Sequence, residues 1–266
     1  MFSVVLPSWN SLEYLKILYG SLKRNTKVRY ELIVHDNAST DDTLAWLKEN
    51  NIKHTRSEEN EGYSAINHAV EKASYPYIVL VNSDHYMLPG WDIEIVKNIN
   101  KFKQSNISKF LLSLCVIEPD GYNPECVIHD CGCDSKAFNE EELLRYYFIK
   151  CGKRDKIDTN QYSQPSCLSR ALWDEIGGMD VDYFPGWAID HDFVARLYRA
   201  GCRNFLLIGK AKTYHFSSKT FSKLPKEIKD KHGQDIFLKK WGVAADEMRK
   251  RFKIARAYEQ LSEGLL

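Results

Sequence analysis

Short apolar runs alternate with stretches of helical periodicity through the first half of the chain. Residues 2–7, 31–36 and 77–82 are rich in valine, isoleucine and leucine, which is typical of buried strands. Between the first two runs, leucines recur every three or four positions from Leu12 to Leu22, the spacing of one helix face. Strands that alternate with helices predict right-handed crossovers and a mainly parallel sheet with helices on both faces.

The second half of the chain is less regular but still predicts strands and helices. A loop-rich stretch covers residues 119–165, and the tail from Pro225 onward is helical, basic and amphipathic. The pair Gly177-Gly178 is typical of a helix C-terminus. The predicted elements are a strand at 110–117, helices at 140–149, 169–176 and 189–200, and a strand at 202–208. The predicted fold class is therefore α/β, a mainly parallel mixed sheet flanked by helices, with a helical C-terminal appendage.

Composition and charge restrict the class of protein. The 266 residues are 44% hydrophobic and 27% charged, as in an ordinary soluble globular protein. The chain has 37 Lys and Arg residues and 36 Asp and Glu residues, which gives a formal net charge of +1. This charge is too small to attract nucleic acid. The longest apolar stretch is too short to span a bilayer, and the N-terminus lacks the basic segment of a signal peptide. Together with an odd number of scattered cysteines, 7 in all, these features predict a cytoplasmic protein with reduced thiols.

Several common catalytic motifs do not occur in the sequence. There is no glycine-rich dinucleotide fingerprint, no phosphate-binding loop, no nucleophile elbow and no C-x-x-C pair. His129, Cys131 and Cys133 alternate at period two and could share a strand face as zinc ligands, but no fourth ligand is apparent nearby. A zinc protein is therefore a minor alternative.

Two aspartates directly follow predicted strands. In open α/β sheets, ligands bind beyond the carboxyl ends of the strands. Asp36 could hydrogen-bond such a ligand, or it could be a turn or helix-capping aspartate. Asp84, beside Asn82 and His85, could hold Mg²⁺ or Mn²⁺, which prefer oxygen ligands and neutralise leaving diphosphates; a turn aspartate is again the alternative.

A third acidic cluster opens a predicted helix. Asp190 and Asp192 flank His191, and capping of the helix N-terminus accounts for one of them. The other is available as a general base that takes the proton of an attacking hydroxyl. Trp187, just upstream, offers a flat apolar surface for a sugar ring, with core packing as the alternative. His215 follows the last predicted strand and is either structural or a metal ligand.

Six segments, in this order and spacing, form a family pattern. They are SVVLPSWN, ELIVHDNASTDDT, NEGYSAINHAV, YIVLVNSDHYMLPGW, SRALWDEIGGMDVDYFPGWAIDHDFVARLYRAG and TYHFSSKT. Together they resemble glycosyltransferase family 2, the inverting nucleotide-sugar transferases of the GT-A fold, over residues 2–220. The resemblance implies a GT-A catalytic domain over residues 1–220 and a helical extension over residues 221–266.

The resemblance also implies roles for the matching residues. The nucleotide-binding residues would be Pro7, Trp9, Asp36, Asn60, Gly62 and Ser83. In this family pattern Trp9 stacks on the base and Asp36 hydrogen-bonds it. Asp84 and His215 would hold a divalent cation, Mn²⁺ or Mg²⁺, that binds the donor diphosphate. Asp190 matches the aspartate of the family's E-D element, the usual catalytic base.

Two positions depart from the family pattern. Asn82 replaces the first carboxylate of the D-x-D metal motif, which lowers metal affinity or alters metal use. Ile189 replaces the glutamate of the E-D element, which removes one acceptor contact and makes Asp192 an alternative base. These departures motivate a second hypothesis, a catalytically inactive nucleotide-sugar or glycan-binding relative.

The implied partners are a nucleotide-diphosphate sugar donor and a glycan or lipid-linked acceptor, as in polysaccharide biosynthesis. No nucleic-acid partner is expected. The basic C-terminal helices, with Lys239-Lys240-Trp241 and residues 249–253, could dock peripherally on the anionic inner face of a membrane. A solvated helical cap or a homo-oligomer contact is the alternative for such a charge run.

Overall fold

A ten-stranded mixed sheet organises the part of the chain described by this computed structural model, which comprises residues 1–121, 126–150, 157–159, 162–217 and 232–253. Its strands are β1 (Phe2–Ser8), β2 (Tyr30–Asp36), β3 (Lys53–Arg56), β4 (Tyr77–Leu80), β5 (His85–Met87), β6 (Phe110–Glu118), β7 (Val127–Ile128), β8 (Ile157–Thr159), β9 (Ser166–Ser169) and β10 (Asn204–His215). The helices are α1 (Leu12–Asn25), α2 (Thr43–Glu49), α3 (Ile66–Glu71), α4 (Trp91–Gln104), α5 (Glu140–Lys150), α6 (Arg170–Ile176), α7 (Ile189–Arg199), α8 (His232–Trp241) and α9 (Ala245–Lys253).

The strand order along the sheet is β3-β2-β1-β4-β9-β6-β10-β5, with β7 beside β6 and β8 beside β10. Parallel pairing joins β1 to β2 and β4, β2 to β3, and β6 to β7 and β10. Antiparallel pairing joins β9 to β4 and β6, and β10 to β5 and β8. The predicted α/β fold, a mainly parallel mixed sheet flanked by helices, is confirmed.

Alternating side chains of β1 supply hydrophobic cores on both faces of the sheet. Val4 and Leu6 pack in one cluster with leucines of α1 such as Leu18, whereas Val5 packs in the other with residues of α7 such as Phe193. Complete burial of an aliphatic side chain contributes about 1.5–3 kcal/mol. The two cores therefore fix β1 firmly and position its carboxyl end.

The helices α8 and α9 pack against the rest of the structure. α9 contacts α7, and α8 contacts the short 3₁₀ turn Val181–Tyr183. Phe237 and Trp241 are buried in the same cluster as Phe193. The predicted boundary between residues 220 and 221 lies outside the described residues and stays a prediction. Within those residues, no helix combines the length and apolar character needed to cross a bilayer.

Five strands differ from the sequence prediction, since β7 and β8 lie in the stretch predicted as loop-rich and β5, β9 and β10 differ as well. β5 and β9 are three and four residues long, too short to show a periodic pattern. β10 continues to His215 instead of ending near residue 208. Its register against β6 shifts between Ile208 and Lys212, and this irregularity interrupts the alternation on which the prediction depends.

Candidate active site

A cavity of about 470 Å³ lies beyond the carboxyl ends of the parallel strands β1 and β4, where an open α/β sheet binds ligands. Most of the residues singled out from the sequence line it, namely Pro7, Trp9, Asn60, Gly62, Ser83, Asp84, Trp187 and Asp190. Asp36, Asp192 and His215 are not among its lining residues. The fold thus brings distant segments of the chain to one cavity.

Buried hydroxyl groups connect the ends of β1 and β4 beside the cavity. Ser11 Oγ lies 3.1 Å from Ser8 Oγ and 2.9 Å from Ser83 Oγ. All three side chains are buried, and a satisfied buried network of this kind is rigid. The loop that carries Trp9 is therefore held in place against the loop that carries Asp84.

Asp36 is fully buried at the end of β2. Its Oδ1 accepts a hydrogen bond from the Ser39 backbone N–H at 3.0 Å, the geometry of the turn alternative. Its Oδ2 pairs with the Arg56 guanidinium at the end of β3. Both oxygens already have partners in this structure, so hydrogen bonding of a base by Asp36 stays a prediction.

Asn37 holds the loop that carries Asn60 and Gly62. Its Nδ2 donates to Asn60 Oδ1 at 2.9 Å and to the Gly62 carbonyl at 3.0 Å. Its Oδ1 accepts from the Glu61 backbone N–H at 2.9 Å. Gly62 has a φ of +70°, and a Cβ there would lie 2.6 Å from the Pro185 carbonyl oxygen. Glycine therefore allows this loop to approach Pro185 on the cavity wall.

Asp84, His85 and His215 form a group with the ligand chemistry for a divalent cation. One ligand atom from each lies within 4.8 Å of the others. His215 Nε2 is 3.6 Å from Asp84 Oδ2, and its Nδ1 is 2.7 Å from Glu118 Oε1. Metal-ligating histidines commonly use a carboxylate in this way to fix the orientation of the ring. Glu118 fits that role behind His215.

The charges of this group are only partly balanced inside the protein. Burial lowers the pKa of His215, but Asp84 and Glu118 outweigh it and raise that pKa to about 9. Burial and the charge of His215 hold the pKa of His85 well below its usual value. The one positive charge of His215 offsets only one of the two buried carboxylates, so the group keeps a net negative charge that a bound cation would compensate.

Asn82 adds a further oxygen beside Asp84. Its Oδ1 atom is buried and has no hydrogen-bond partner among the described residues. A buried, unpaired polar atom is costly unless a ligand satisfies it. An amide oxygen is a ligand that hard cations accept. The residues present therefore fit Mg²⁺ or Mn²⁺, with Asp84 as the carboxylate ligand.

Asp190 lies in the first turn of α7, on the cavity wall. Ala188, with a φ of +64°, turns the chain into this helix. The Asp190 side chain is 46% exposed, and its Oδ1 lies 3.0 Å from His191 Nδ1. Burial raises the pKa of Asp190, but the charge of His191 outweighs it and holds that pKa below the usual value. Asp190 is thus an ionised carboxylate at the cavity.

Asp192, the alternative base, lies in a closed environment. Its side chain is fully buried, and its Oδ2 accepts from Arg196 Nε at 2.6 Å. Its Oδ1 accepts from Trp241 Nε1 at 2.9 Å and from the Tyr183 hydroxyl at 3.2 Å. Lys240 Nζ lies 2.8 Å from the same oxygen. These contacts tie α7 to α8 and enclose Asp192, whereas Asp190 lines the cavity.

The helices α8 and α9 complete one wall of the cavity. Gln234, Asp246 and Arg249 line it. A Cβ at Gly233 would lie well under 3.0 Å from the Trp187 carbonyl oxygen, so α8 packs directly on the loop before α7. The amphipathic pattern of the C-terminal segment predicts helices but does not reveal the surface on which they pack.

Sequence reasoning does not single out Tyr63, Glu118 or Arg249. Tyr63 lines the cavity, and its buried hydroxyl has no hydrogen-bond partner among the described residues. Glu118 ends the wholly buried strand β6, the same strand-end signal that identifies Asp36. Arg249 belongs to the basic run of residues 249–253, but only the packing of α9 places it at the cavity.

The alternative zinc triad is not assembled. His129 stacks on Tyr146 with ring centroids 3.6 Å apart, and its Nε2 lies 3.4 Å from Glu142 Oε1. Cys131 is buried whereas Cys133 is exposed. In the part of the chain that the structure describes, the groups with metal-ligand spacing do not include this triad.

Comparison with known protein families agrees with this geometry. Residues 3–128 match the family model described as Glycosyl transferase family 2. This matched segment is similar to glycosyl transferase family 2. The matched part of the chain contains Pro7, Trp9, Asp36 and Asp84, whereas Asp190 lies beyond it.

The chain is also similar to a named enzyme. It is 31% identical over 119 residues to poly(ribitol-phosphate) β-N-acetylglucosaminyltransferase TarS of Staphylococcus aureus strains Mu50 and MW2. The alignment covers 42% of this chain and 20% of TarS, so the chain spans about a fifth of the length of these curated relatives.

Solved structures show the same fold. The crystal structure of S. aureus TarS residues 1–349 superposes with a TM-score of 0.58 at 18% identity, covering 91% of this chain and 72% of that chain. The complex of the same fragment with UDP-GlcNAc gives a TM-score of 0.57 at 17% identity, covering 100% and 81%. The GT-A fold class predicted from the sequence is thereby confirmed.

Proposed function

We propose that this chain is an inverting glycosyltransferase, which moves a sugar from a nucleotide-diphosphate donor to a hydroxyl group of an acceptor. The observation that carries the proposal is that Asp84 and Asp190 line one cavity of about 470 Å³. Displacement at an anomeric carbon needs charge stabilisation on the leaving diphosphate and a base for the incoming hydroxyl. Asp84 belongs to the group that fits a cation, and Asp190 is an ionised carboxylate.

The nucleotide end of the donor would occupy the wall after β1. Trp9 offers an aromatic face to the base beside Pro7, and stacking of a base on an aromatic ring contributes about 1–3 kcal/mol. Asn60, Gly62 and Ser83 would lie along the phosphates. S. aureus TarS has been crystallised with UDP and with UDP-GlcNAc, which makes UDP-sugars the first donors to test.

Asp84 and His215, together with Asn82, would hold Mn²⁺ or Mg²⁺, which supplies charge stabilisation for a leaving diphosphate. Glu118 fixes the His215 ring from behind. The hydroxyl network around Ser83 keeps this loop in place against the nucleotide wall. The chain thereby orients the diphosphate in the cavity.

Asp190 would take the proton of the acceptor hydroxyl while its oxygen attacks the anomeric carbon. The bond between that carbon and the diphosphate oxygen breaks on the opposite face, the electron pair leaves with the nucleotide diphosphate, and the configuration inverts. One positioned base contributes about 10²–10⁴-fold. Trp187 lines the same cavity and offers a flat surface to a sugar ring.

The acceptor would be a glycan or lipid-linked compound, as in polysaccharide biosynthesis. The name of the relative TarS specifies poly(ribitol-phosphate). Arg249 lines the cavity of this chain, and a guanidinium suits recognition of a phosphate group. Phosphate-containing polyols and glycans are therefore the first acceptors to test.

Release of nucleotide diphosphate tests the proposal. The chain is incubated with UDP-, GDP- and dTDP-sugars and Mn²⁺, with and without pooled acceptors, and thermal shifts are recorded in parallel. We expect one donor class to turn over, and Asp190→Asn to bind it without turnover. An inactive binding protein, the second candidate suggested by Asn82 and Ile189, predicts a donor-induced thermal shift without diphosphate release. No shift and no release with any donor contradicts both candidates.

Cytoplasmic placement with peripheral membrane contact belongs to this proposal. Lys239 and Lys250 are exposed on α8 and α9, whereas Lys240 contacts Asp180 and Asp192. A lysine near an anionic surface contributes about 1 kcal/mol. Salt-sensitive co-sedimentation with anionic vesicles, lost in the double variant K239E/K250E, supports membrane contact. Absence of co-sedimentation contradicts it, and a dimer seen by light scattering would favour the homo-oligomer alternative.

A further inference from the structure

Two histidines and a glutamate come together between β2 and α3, apart from the residues that line the cavity. His35 lies on β2, His68 on α3, and Glu61 in the loop that precedes the 3₁₀ turn Gly62–Ala65. One ligand atom from each lies within 4.8 Å of the others. His68 Nε2 is 2.8 Å from Glu61 Oε2, and the two imidazole rings stack with centroids 4.7 Å apart.

The surroundings of His35 leave one of its ring nitrogens suited to a metal. The ring is buried, and its Nδ1 lies 2.8 Å from Thr55 Oγ1. Its Nε2 makes a longer contact of 3.3 Å with Ser57 Oγ, whose own hydrogen is donated to the Glu59 carbonyl at 2.7 Å. A tautomer with hydrogen on Nδ1 donates to Thr55 and keeps the Nε2 lone pair available. Such a hydrogen bond behind the ring is the usual support of a ligating histidine.

We propose that His35, Glu61 and His68 bind one divalent transition-metal ion of the zinc class. Two imidazole nitrogens and one carboxylate oxygen are a known zinc ligand set, with a fourth position for water. Imidazole ligands favour zinc-like ions, whereas oxygen ligands favour Mg²⁺ and Mn²⁺. The Asp84, His85 and His215 group has the same composition of two imidazoles and one carboxylate, but it lies at a different place in the fold.

Small side-chain movements suffice to form the site. Tetrahedral bonds of about 2.0–2.1 Å place ligand atoms about 3.3 Å from one another. The His68 and Glu61 side chains are 40% and 37% exposed, so both have room to rotate toward the buried His35. The 2.8 Å contact between them opens by a few tenths of an ångström to admit the ion.

A bound ion would brace the nucleotide side of the cavity. Glu61 sits between Asn60 and Gly62, which line the cavity, and Asn37 already ties this loop to the end of β2. The ion would add a second tie between β2, the loop and α3. It would be structural, since none of its ligands lines the cavity.

Metal binding tests the proposal without any donor or acceptor, so its outcome is independent of the proposed transferase activity. The chelator-treated chain is titrated with Zn²⁺ alone and with Mg²⁺ alone by calorimetry, and Co²⁺ is added to record its visible absorption. Wild type and the double variant D84N/H215Q, which lacks the other cation group, are compared. We expect the double variant to bind one equivalent of Zn²⁺, and Mg²⁺ not to compete with that binding. Co²⁺ bound to the double variant should show the intense visible absorption bands of a tetrahedral site.

Substitution of the ligands identifies the site. His68→Gln and Glu61→Gln should each weaken Zn²⁺ binding by at least about tenfold, the lower end of what loss of a supporting partner costs. His54→Gln is the matched control, because His54 on the neighbouring strand β3 faces the Ile52 carbonyl. Zn²⁺ should also raise the Tm of wild type more than that of His68→Gln. Zinc binding unchanged in both ligand variants, or absent from the wild-type chain, overturns the proposal and leaves the three residues as a metal-free hydrogen-bond network.

Discussion

The Oε1 atom of Glu118 lies 2.7 Å from Nδ1 of His215, although 97 residues separate the two along the chain. β6 and β10 are parallel neighbours in which Ile117 pairs with Tyr214, so the next residue of each strand lies at the same level. The carboxylate accepts the Nδ1 hydrogen and leaves Nε2 facing Asp84 at 3.6 Å. Strand register therefore decides which nitrogen of His215 faces Asp84 and the proposed cation site.

Removal of the charge at Glu118 tests this orienting role. An amide holds the imidazole less strongly than a carboxylate, so we expect Glu118→Gln to weaken Mn²⁺ binding about 10- to 100-fold. Calorimetric titration of Mn²⁺ in the presence of donor nucleotide measures the change. Glu142→Gln, which alters the pair with His129, is the control and should leave the titration unchanged. An equal Mn²⁺ affinity in Glu118→Gln and wild type would count against the role.

Asp190→Asn should lower turnover, whereas Asp192→Asn should lower stability. The first removes the proposed base, so we expect kcat to fall about 10²–10⁴-fold with nucleotide binding nearly unchanged. The second leaves Arg196 and Lys240 without their carboxylate, and breaking a buried pair costs about 3–5 kcal/mol, so the Tm should fall. Turnover, nucleotide titration and thermal melts are measured on both variants. Normal turnover in Asp190→Asn, with loss confined to a well-folded Asp192→Asn, would reverse the assignment.

Buried strands and strand-end aspartates can be predicted because a local pattern encodes them. The runs at residues 2–7 and 31–36 form β1 and β2, and Asp84 follows β4 as expected. Parallel strands end at the same edge of a sheet, so the presence of Trp9 and Asp84 on one cavity follows from that pattern.

Packing and register determine what the local pattern leaves open. Glu118 reaches His215 only through the pairing of β6 with β10. Asp190 and Asp192 look alike in the sequence, yet the Trp241 indole, 49 residues further along the chain, encloses Asp192. The environment of a carboxylate depends on such distant contacts, and a single sequence does not specify them.

The charge of His191 controls the pH at which Asp190 ionises. The pKa of His191 is raised and that of Asp190 is lowered, so His191 carries its proton throughout the range in which Asp190 titrates. His191→Gln removes that charge, and the pKa of Asp190 should rise. We expect the acid limb of the kcat/KM profile to move to higher pH, with a greater loss of rate at acid pH than at neutral pH. His129→Gln should keep the wild-type profile, and an unmoved acid limb in His191→Gln would refute the coupling.

The hydroxyl of Tyr63 should matter for transfer but not for stability. This hydroxyl is buried without a hydrogen-bond partner among the described residues. Burial, together with the negative charges of Asp190 and Asp84, raises the pKa of Tyr63, so the hydroxyl keeps its proton and can donate a hydrogen bond. Tyr63→Phe removes no hydrogen bond that the described residues make, and the Tm should stay equal or rise. A hydrogen bond to a ligand is worth about 0.5–1.5 kcal/mol, so kcat/KM should fall up to about tenfold. A lower Tm with unchanged kcat/KM would show that the hydroxyl is structural instead.

The close packing of α8 on Trp187 should make Gly233 intolerant of any side chain. An added Cβ would clash with the Trp187 carbonyl oxygen, a backbone atom with little room to move. Gly233→Ala must therefore displace α8, the helix that carries Gln234 along the cavity wall. Overpacking of this kind costs about 1–3 kcal/mol, and both the Tm and the donor-induced thermal shift should decrease. Gly20→Ala on α1 is the matched control, because its Cβ would contact only the flexible end of the Arg24 side chain. Alanine in a helix is also more stable than glycine by about 0.5–1 kcal/mol. If the Tm and the donor-induced thermal shift of Gly233→Ala equal those of Gly20→Ala, α8 does not form a fixed wall of the cavity in solution.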